Sequence, residues 1–141
     1  MEAWYWLVST KINGEVSIMK GKIVAWPTGS GTYKVVQIYL RGEPMIYFAD
    51  IDKSLHYAIL AFALQQHGIH FEWIELQSHE VVVPALEGEG YRACGMGKAT
   101  VDIANKTMRF SGASFHYSIA PDTQHMEEIA SLHQEWKLEA I

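Results

Sequence analysis

The sequence predicts an α+β domain in which a mixed, mostly antiparallel β-sheet is flanked by two α-helices. Residues 33–41 alternate between two faces, with Val36 and Ile38 on the same one, which is typical of a strand. Two apolar stretches, at about 52–67 and 121–138, have the spacing of amphipathic helices. A sheet that covers the apolar sides of both helices is the natural packing solution.

Composition indicates one domain that spans residues 1–141. Of the 141 residues, 49% are hydrophobic and 19% are charged, so the chain can bury a core and is not predicted to be disordered. The net charge is -5 and the Lys and Arg residues are scattered, so neither nucleic acid nor a membrane is an expected partner. The single cysteine, Cys94, excludes an internal disulfide. With no signal-peptide pattern and no apolar stretch of bilayer length, we expect a cytoplasmic protein.

The first part of the chain predicts two pairs of strands. Residues Ala3–Thr10 and Glu15–Lys20 are expected to form a hairpin, because Asn13-Gly14 between them suits a tight turn. A Pro- and Gly-containing loop follows. The next two strands are Tyr33–Arg41 and Met45–Ala49.

The first helix is predicted from about Asp52 to His67. Either Asp50 or Asp52 can cap its N-terminus, and Gly68 suits the position just beyond its end. Its apolar stripe is broad, which indicates a helix packed deeply on a sheet.

The second half predicts further strands and a second helix. The strands are expected at Ile69–Leu76, Val81–Leu86, Ala99–Ile103 and Thr107–Tyr117. Residues Glu87–Gly97 contain four glycines and are the predicted flexible segment. The second helix is predicted from about Pro121 to Leu138.

The segment Gly112–Asp122 is the strongest candidate for a site. A strand that passes through small and hydroxyl residues into a helix start exposes backbone N–H groups to an anion. If the strand runs on through this segment, Ser114, His116 and Ser118 share one face. His116 can then serve as a nucleophile or a general acid or base. The alternative is an ordinary strand-to-helix connection in which His116 points to solvent.

Several familiar signatures are missing from the sequence. Thr100 stands where a cysteine-phosphatase loop that began at Cys94 would need its arginine. Residues 29–31 and 95–97 lack the third glycine of a dinucleotide-binding loop. The seven histidines show no metal-ligand spacing, so the sequence predicts neither a metal nor a cofactor.

Three segments, in the right order, resemble the Janus/Ocnus family, which includes the small phosphohistidine phosphatases. The segments are Gly31–Leu40, Tyr47–Lys53 and Gly112–Ala120, the last followed by Glu127 and Ile129. The family fold, a mixed sheet flanked by two helices, agrees with the fold predicted from the residues. Against that pattern, residues 1–30 hold extra strands and residues 77–97 resemble an insertion.

The resemblance implies a phosphate site. Its lysine is Lys34, its loop residues are Ser114, Phe115, Tyr117 and Ser118, and its wall contains Tyr47 and Phe48. The family's catalytic histidine falls on Phe48, which can neither transfer a proton nor attack phosphorus.

Three hypotheses follow for the function. The first is a phosphatase of the phosphohistidine or phospholysine type in which His116 replaces the missing histidine. The second is a non-catalytic relative that binds a phosphorylated protein or a small anion, and Phe48 favours it. Its apolar wall would include Trp4, Trp6, Tyr39 and Tyr47. The third is a non-enzymatic interaction domain or homo-oligomer that uses the aromatic N-terminal strands and the insertion.

Overall fold

A computed structural model describes residues 4–12, 15–52 and 54–141, with side chains for 23–52 and 54–141. These residues form two helices and ten strands, and all ten strands belong to one sheet. The strands before the first helix are β1 (Trp4–Ile12), β2 (Glu15–Val24), β3 (Gly31–Leu40) and β4 (Glu43–Asp50). The later strands are β5 (Trp73–Leu76), β6 (Val81–Pro84), β7 (Glu87–Gly88), β8 (Tyr91–Asp102), β9 (Thr107–Ser111) and β10 (Lys137–Ala140). The helices are α1 (His56–Gln66) and α2 (Thr123–Leu132).

The strand order confirms the predicted α+β class. The sheet runs β10-β9-β8-β3-β4-β2-β1-β6-β5, and β7 pairs with β8 off this path. Only the β9–β10 pair is parallel among the described strands. The predicted hairpin of β1 and β2 is present, with Ile12 opposite Glu15 at its closed end. Residues Asn13 and Gly14 lie outside the described residues, so the turn itself stays a prediction.

The alternation along β3 separates the two faces of the sheet. Val36 and Ile38 are buried in the core that contains the side chains of α1. Val35 belongs to a second core, which contains Met126 and Ile129 of α2. Each helix therefore covers one face of the sheet, as the sequence predicts. We call these faces the α1 face and the α2 face.

The first helix begins later than its predicted start. Its N-cap residue is Leu55, which makes no capping hydrogen bond through its side chain, so the predicted cap by Asp50 or Asp52 is wrong. Asp50 is still the last residue of β4, and the chain needs the next few residues to pass from the sheet into the core. All residues from His56 to Leu64 are buried, and Gly68 with a φ of +65° follows the helix end as predicted.

The second helix ends at Leu132, so its predicted extension to Leu138 is wrong. Residues Lys137–Ala140 instead form β10 along the edge of β9. Trp136 and Leu138 pack against the core of the α2 face, and this tertiary burial outweighs the helical periodicity of the segment. Neither helix in the described part of the chain has the length and apolar character to cross a membrane.

Gly95 and Gly97 serve close packing within β8, where the sequence predicts a flexible segment. Most of the segment belongs to β7 and to β8, which pairs with the central strand β3. A Cβ atom on Gly95 would lie 2.3 Å from Oε1 of Gln37 and 2.7 Å from the backbone nitrogen of Asp122. The absent side chain lets the start of α2 approach the sheet.

Candidate functional site

A cavity of about 200 Å³ opens on the α1 face, where the start of α1, the paired central strands β3 and β8, and the loop after β9 meet. It is lined by Lys34, Ile51, His56, Gly97, Lys98, Gly112 and Ala113. Two amino groups and one imidazole thus share the cavity, and none of the described residues that line it is acidic. This arrangement favours a negatively charged ligand.

Lys34 is half-buried and held at one point. Its Nζ donates a hydrogen bond of 2.7 Å to the carbonyl oxygen of Ser54, just before α1. Burial lowers the pKa of Lys34, and the carboxylate of Asp52 opposes that shift. An ammonium group has three donors, so two remain for a ligand.

His56, the first residue of α1, is buried and places its imidazole in the cavity. Its Nε2 lies 2.7 Å from the carbonyl oxygen of Gly97. Because a carbonyl oxygen only accepts, Nε2 carries the hydrogen and Nδ1 holds the lone pair of the neutral ring. Burial lowers the pKa of His56, and the charges of Lys34 and His116 lower it further, while the Gly97 hydrogen bond opposes the shift.

The sequence alone missed His56. The residue stands among apolar neighbours within the predicted helix, where a histidine is indistinguishable from a core residue. Its role depends on the helix starting at His56 itself, since the first residue of a helix faces whatever lies beyond the N-terminus. The end of β4 is predicted to within one residue, at Ala49, so the later start of α1 has no signal in the local sequence.

The N-terminus of α1 adds partial positive charge at the same place. No acidic residue occupies the first turn, and Leu55 provides no side-chain cap. The N–H groups of Ala58 and Ile59 donate to the carbonyl oxygen of Leu55 at 3.0 and 3.1 Å, and these bonds begin the hydrogen-bond ladder of the helix. The helix dipole therefore favours an anion near His56.

The loop after β9 is a compact turn. The strand ends at Ser111, and Gly112 and Ser118 have left-handed φ angles of +75° and +58°. The prediction that Ser114, His116 and Ser118 share one strand face is therefore wrong. Glycine permits the first reversal without strain, which removes the segment from the sheet.

Ser114 holds this turn together. It is buried, its N–H donates to Ile119 O at 2.8 Å, and its carbonyl accepts from Ser118 N at 2.9 Å. Its Oγ accepts from Tyr117 N at 3.1 Å. A serine hydroxyl that closes a local turn competes with strand pairing. Ser114 thus supports the backbone of Gly112 and Ala113, which lines the cavity.

The other predicted loop residues lie around this turn and outside the lining of the cavity. Phe115 is 74% exposed, and Ser118 is exposed as well. The hydroxyl of Tyr117 donates to Pro84 O at 2.6 Å, and burial raises the pKa of Tyr117.

Tyr47 and Phe48 lie away from the cavity, on opposite faces of the sheet. Tyr47 is buried on the α1 face, where its hydroxyl shares a 2.7 Å hydrogen bond with Nε2 of His67 and burial raises the pKa of Tyr47 to about 12. Phe48 is fully buried on the α2 face, against the rings of Trp26 and Tyr33. The nature of residue 48 therefore does not alter the lining of the cavity.

His116 is half-buried beside the cavity. Its ring centroid lies 5.2 Å from that of Tyr57, 5.3 Å from that of His79 and 5.1 Å from that of Phe115. Burial lowers the pKa of His116, and the charges of His79 and Lys34 lower it further. The imidazole is thus coupled electrostatically to the cavity through Lys34, without lining it.

Comparisons with known proteins do not identify this site. No three His, Cys, Asp or Glu side chains among the described residues are placed to hold a metal ion together. No model of a known protein family matches the chain, and the curated proteins contain no significant match to it. The resemblance to the Janus/Ocnus family therefore stays a prediction from the sequence.

Proposed function

We propose that the protein binds a phosphoryl group or a similar small anion in the cavity lined by Lys34, His56 and Lys98. The observation that carries the proposal is the charge of the lining. Three residues that can be positive line it and no described lining residue is acidic, although the chain has a net charge of -5; the nearest carboxylate that acts on Lys34, that of Asp52, lies outside the lining. Positive groups gathered in an acidic protein favour an anionic ligand.

Binding would use donors that the fold already holds in place. Lys34 keeps two N–H donors beyond its bond to Ser54. The backbone of Gly112 and Ala113 lines the opposite side, next to the start of α1. Because burial lowers the pKa of Lys34, an anion beside it would restore the stability of its charged form.

The test is a titration with inorganic phosphate, followed by amide chemical shifts. We expect the largest shifts at Gly112, Ala113 and the start of α1. Lys34→Met should weaken binding by about tenfold or more, because it removes a charge-assisted hydrogen bond. Lys137→Met is the matched control, since the Lys137 side chain is exposed on β10. An absence of shifts around Ser114, or equal affinity in Lys34→Met, would contradict the proposal.

Hydrolysis of a phosphoryl group is a second candidate, favoured by two imidazoles with lowered pKa values at or beside the cavity. A neutral imidazole can accept a proton from water or attack phosphorus, and the resemblance suggests phosphohistidine or phospholysine as the substrate. If His116 takes this part, His116→Ala should abolish turnover and leave phosphate affinity nearly unchanged. His56→Gln tests the other imidazole in the same assay. Binding without turnover of either substrate would contradict the enzymatic version.

A non-enzymatic interaction or homo-oligomer is favoured by a different surface. The sheet ends at β5, where Trp73 and Ile74 are 43% and 38% exposed. An edge strand with exposed apolar side chains can pair with a second chain. The side chains of Trp4 and Trp6 lie outside the described residues. Light scattering of wild type and of Ile74→Lys tests this version, and a wild-type monomer at all concentrations would count against it.

A further inference from the structure

One exposed aromatic residue belongs to the same turn as two residues that line the cavity. Phe115 is 74% exposed and lies two residues after Ala113, which lines the cavity. The other exposed large apolar side chains of the described residues belong to β5, to the end of α2 and to the end of the chain. Phe115 contacts His116, which interacts electrostatically with Lys34 of the cavity, so its exposed ring belongs to the surface around the cavity.

The ring of Phe115 is held by neighbouring rings. Its centroid lies 4.6 Å from that of His79 and 5.1 Å from that of His116, with interplanar angles of 69° and 90°. His79 is itself oriented by a 2.9 Å hydrogen bond between its Nδ1 and the hydroxyl of Ser78. Tyr57 supports His116 from the core side. These edge contacts order Phe115 while most of its surface stays accessible, so a ligand ring would meet a preorganised partner.

We infer that the protein recognises aryl phosphates, with the phosphoryl group in the cavity and the aromatic ring against Phe115 and His79. This inference rests on the proposed function, since the cavity must first bind the anion. In an aryl phosphate the ring is joined directly to a phosphoryl oxygen, so a ring at the mouth of the cavity lies close to the loop that carries Phe115. A flat ring gains from offset or edge contacts with Phe115, and an alkyl chain lacks that gain. Residues 77–80 form part of this contact surface for the ligand ring, because they bring His79 against Phe115 in the loop after β9.

The experiment compares phenyl phosphate, propyl phosphate and inorganic phosphate in amide-shift titrations at one ionic strength. We expect phenyl phosphate to bind about five- to tenfold more tightly than propyl phosphate. Phe115→Ala should remove most of this preference and leave the affinity for inorganic phosphate unchanged. Leu132→Ala is the matched control, because Leu132 is 63% exposed on α2 and its loss should leave the preference intact. Since Phe115 is exposed, its substitution should not unfold the protein, which near-ultraviolet circular dichroism will verify.

The outcomes separate the two proposals. Binding of inorganic phosphate with no preference for phenyl phosphate, or a preference that survives Phe115→Ala, overturns the inference and leaves the anion site standing. Failure to bind any of the three anions overturns both. A phosphotyrosine peptide that binds more tightly than phenyl phosphate would identify a protein as the source of the aryl phosphate, and weaker binding would identify a small molecule.

Discussion

The two faces of the sheet each hold a buried histidine near the start of a helix, and the two histidines differ in what surrounds them. On the α2 face, His125 uses both ring nitrogens: Nδ1 lies 3.2 Å from Nε2 of Gln37 and Nε2 lies 3.1 Å from Ile38 O. On the α1 face, His56 bonds to the described residues through Nε2 only, to the carbonyl oxygen of Gly97, and its ring lines a cavity. The α2 face is therefore a closed polar network, and the α1 face has capacity for a ligand.

The N-terminal caps of the two helices differ in the same way as the two histidines. Asp122 caps α2 by accepting from His125 N at 3.0 Å, and its backbone is held by both amide atoms of Gln37 at 2.8 and 2.9 Å. The start of α1 has neither an acidic cap nor an amide partner of this kind. Buried polar groups that are fully satisfied specify a structure, whereas a cavity lined by groups that can be positive can accept an anion.

The largest effect should come from breaking the closed network. Gln37→Leu removes three hydrogen bonds and leaves polar atoms of Asp122 and His125 buried without partners, so we expect unfolding free energy to fall by about 2–4 kcal/mol. Urea denaturation measures this change. His56→Gln on the α1 face is the comparison variant, and it should lower the unfolding free energy by about 1 kcal/mol. Equal losses in the two variants would contradict the distinction between the faces.

The next effect concerns the thiol of Cys94, which lies beside the hydrogen-bond network of Gln37, Asp122 and His125 on the α2 face. Burial raises the pKa of Cys94 to about 12, and the nearby carboxylate of Asp122 adds to the shift. Because the thiolate is the reactive form, native protein should react with iodoacetamide at pH 8 at least about tenfold more slowly than unfolded protein. Gln37→Leu, which opens this region, should speed the reaction. Equal rates in native and unfolded protein would show that the thiol is not protected.

The pH dependence should be smaller and should differ between the faces. Burial lowers the pKa of both His56 and His125, so the unfolded chain binds protons that the folded chain does not, and stability should be full above about pH 6.5 and fall below it. Protonated His125 cannot accept from Gln37, whereas protonated His56 keeps its bond to Gly97 and gains a donor for an anion. Phosphate should therefore raise the pKa of His56 in imidazole NMR titrations and leave that of His125 unchanged. A phosphate-induced rise in the pKa of His125 would contradict the prediction that only the α1 face binds the anion.

The smallest effect on stability is expected for Lys98→Ala. The Lys98 side chain lines the cavity but its residue is exposed, so the unfolding free energy should change by no more than about 0.5 kcal/mol. Phosphate affinity should still fall several-fold, because one positive charge leaves the site. Urea denaturation and phosphate titration on the same samples measure both quantities. A loss of stability without a loss of phosphate affinity would show that Lys98 stabilises the fold and does not bind the anion.

The sequence predicts the local features of this fold well. The alternation in β3, the β1–β2 hairpin and the deep burial of α1 depend on periodicity and turn residues within each segment. Lys34 and the first residues of the segment Gly112–Asp122, both singled out by the sequence, line one cavity, and the use of that cavity as a phosphate site stays a prediction. These features need no information about distant parts of the chain.

The remaining features depend on contacts between distant segments. The sequence around Gly95 does not distinguish it from a glycine in a loop. The need for glycine there comes from the close approach of Gln37 and Asp122, which are distant in the sequence. The strand β10 forms because β9 offers an edge about 30 residues earlier in the chain. His56 enters the site because α1 begins at His56, four residues after its predicted start at Asp52, where the chain packs against β8 through the bond to Gly97.

The hydrogen bond from Lys34 to Ser54 has a mechanical consequence. One ammonium group both faces the cavity and tethers the backbone that leads into α1. An anion held by its other two hydrogens would fix the ammonium, and the fixed ammonium would in turn hold the entry to the helix. Occupancy of the cavity would then slow hydrogen exchange in the first turn of α1, through the Ser54 carbonyl as well as through direct contact with the anion. The rate of hydrogen exchange at the start of α1 would thus report whether the cavity is occupied.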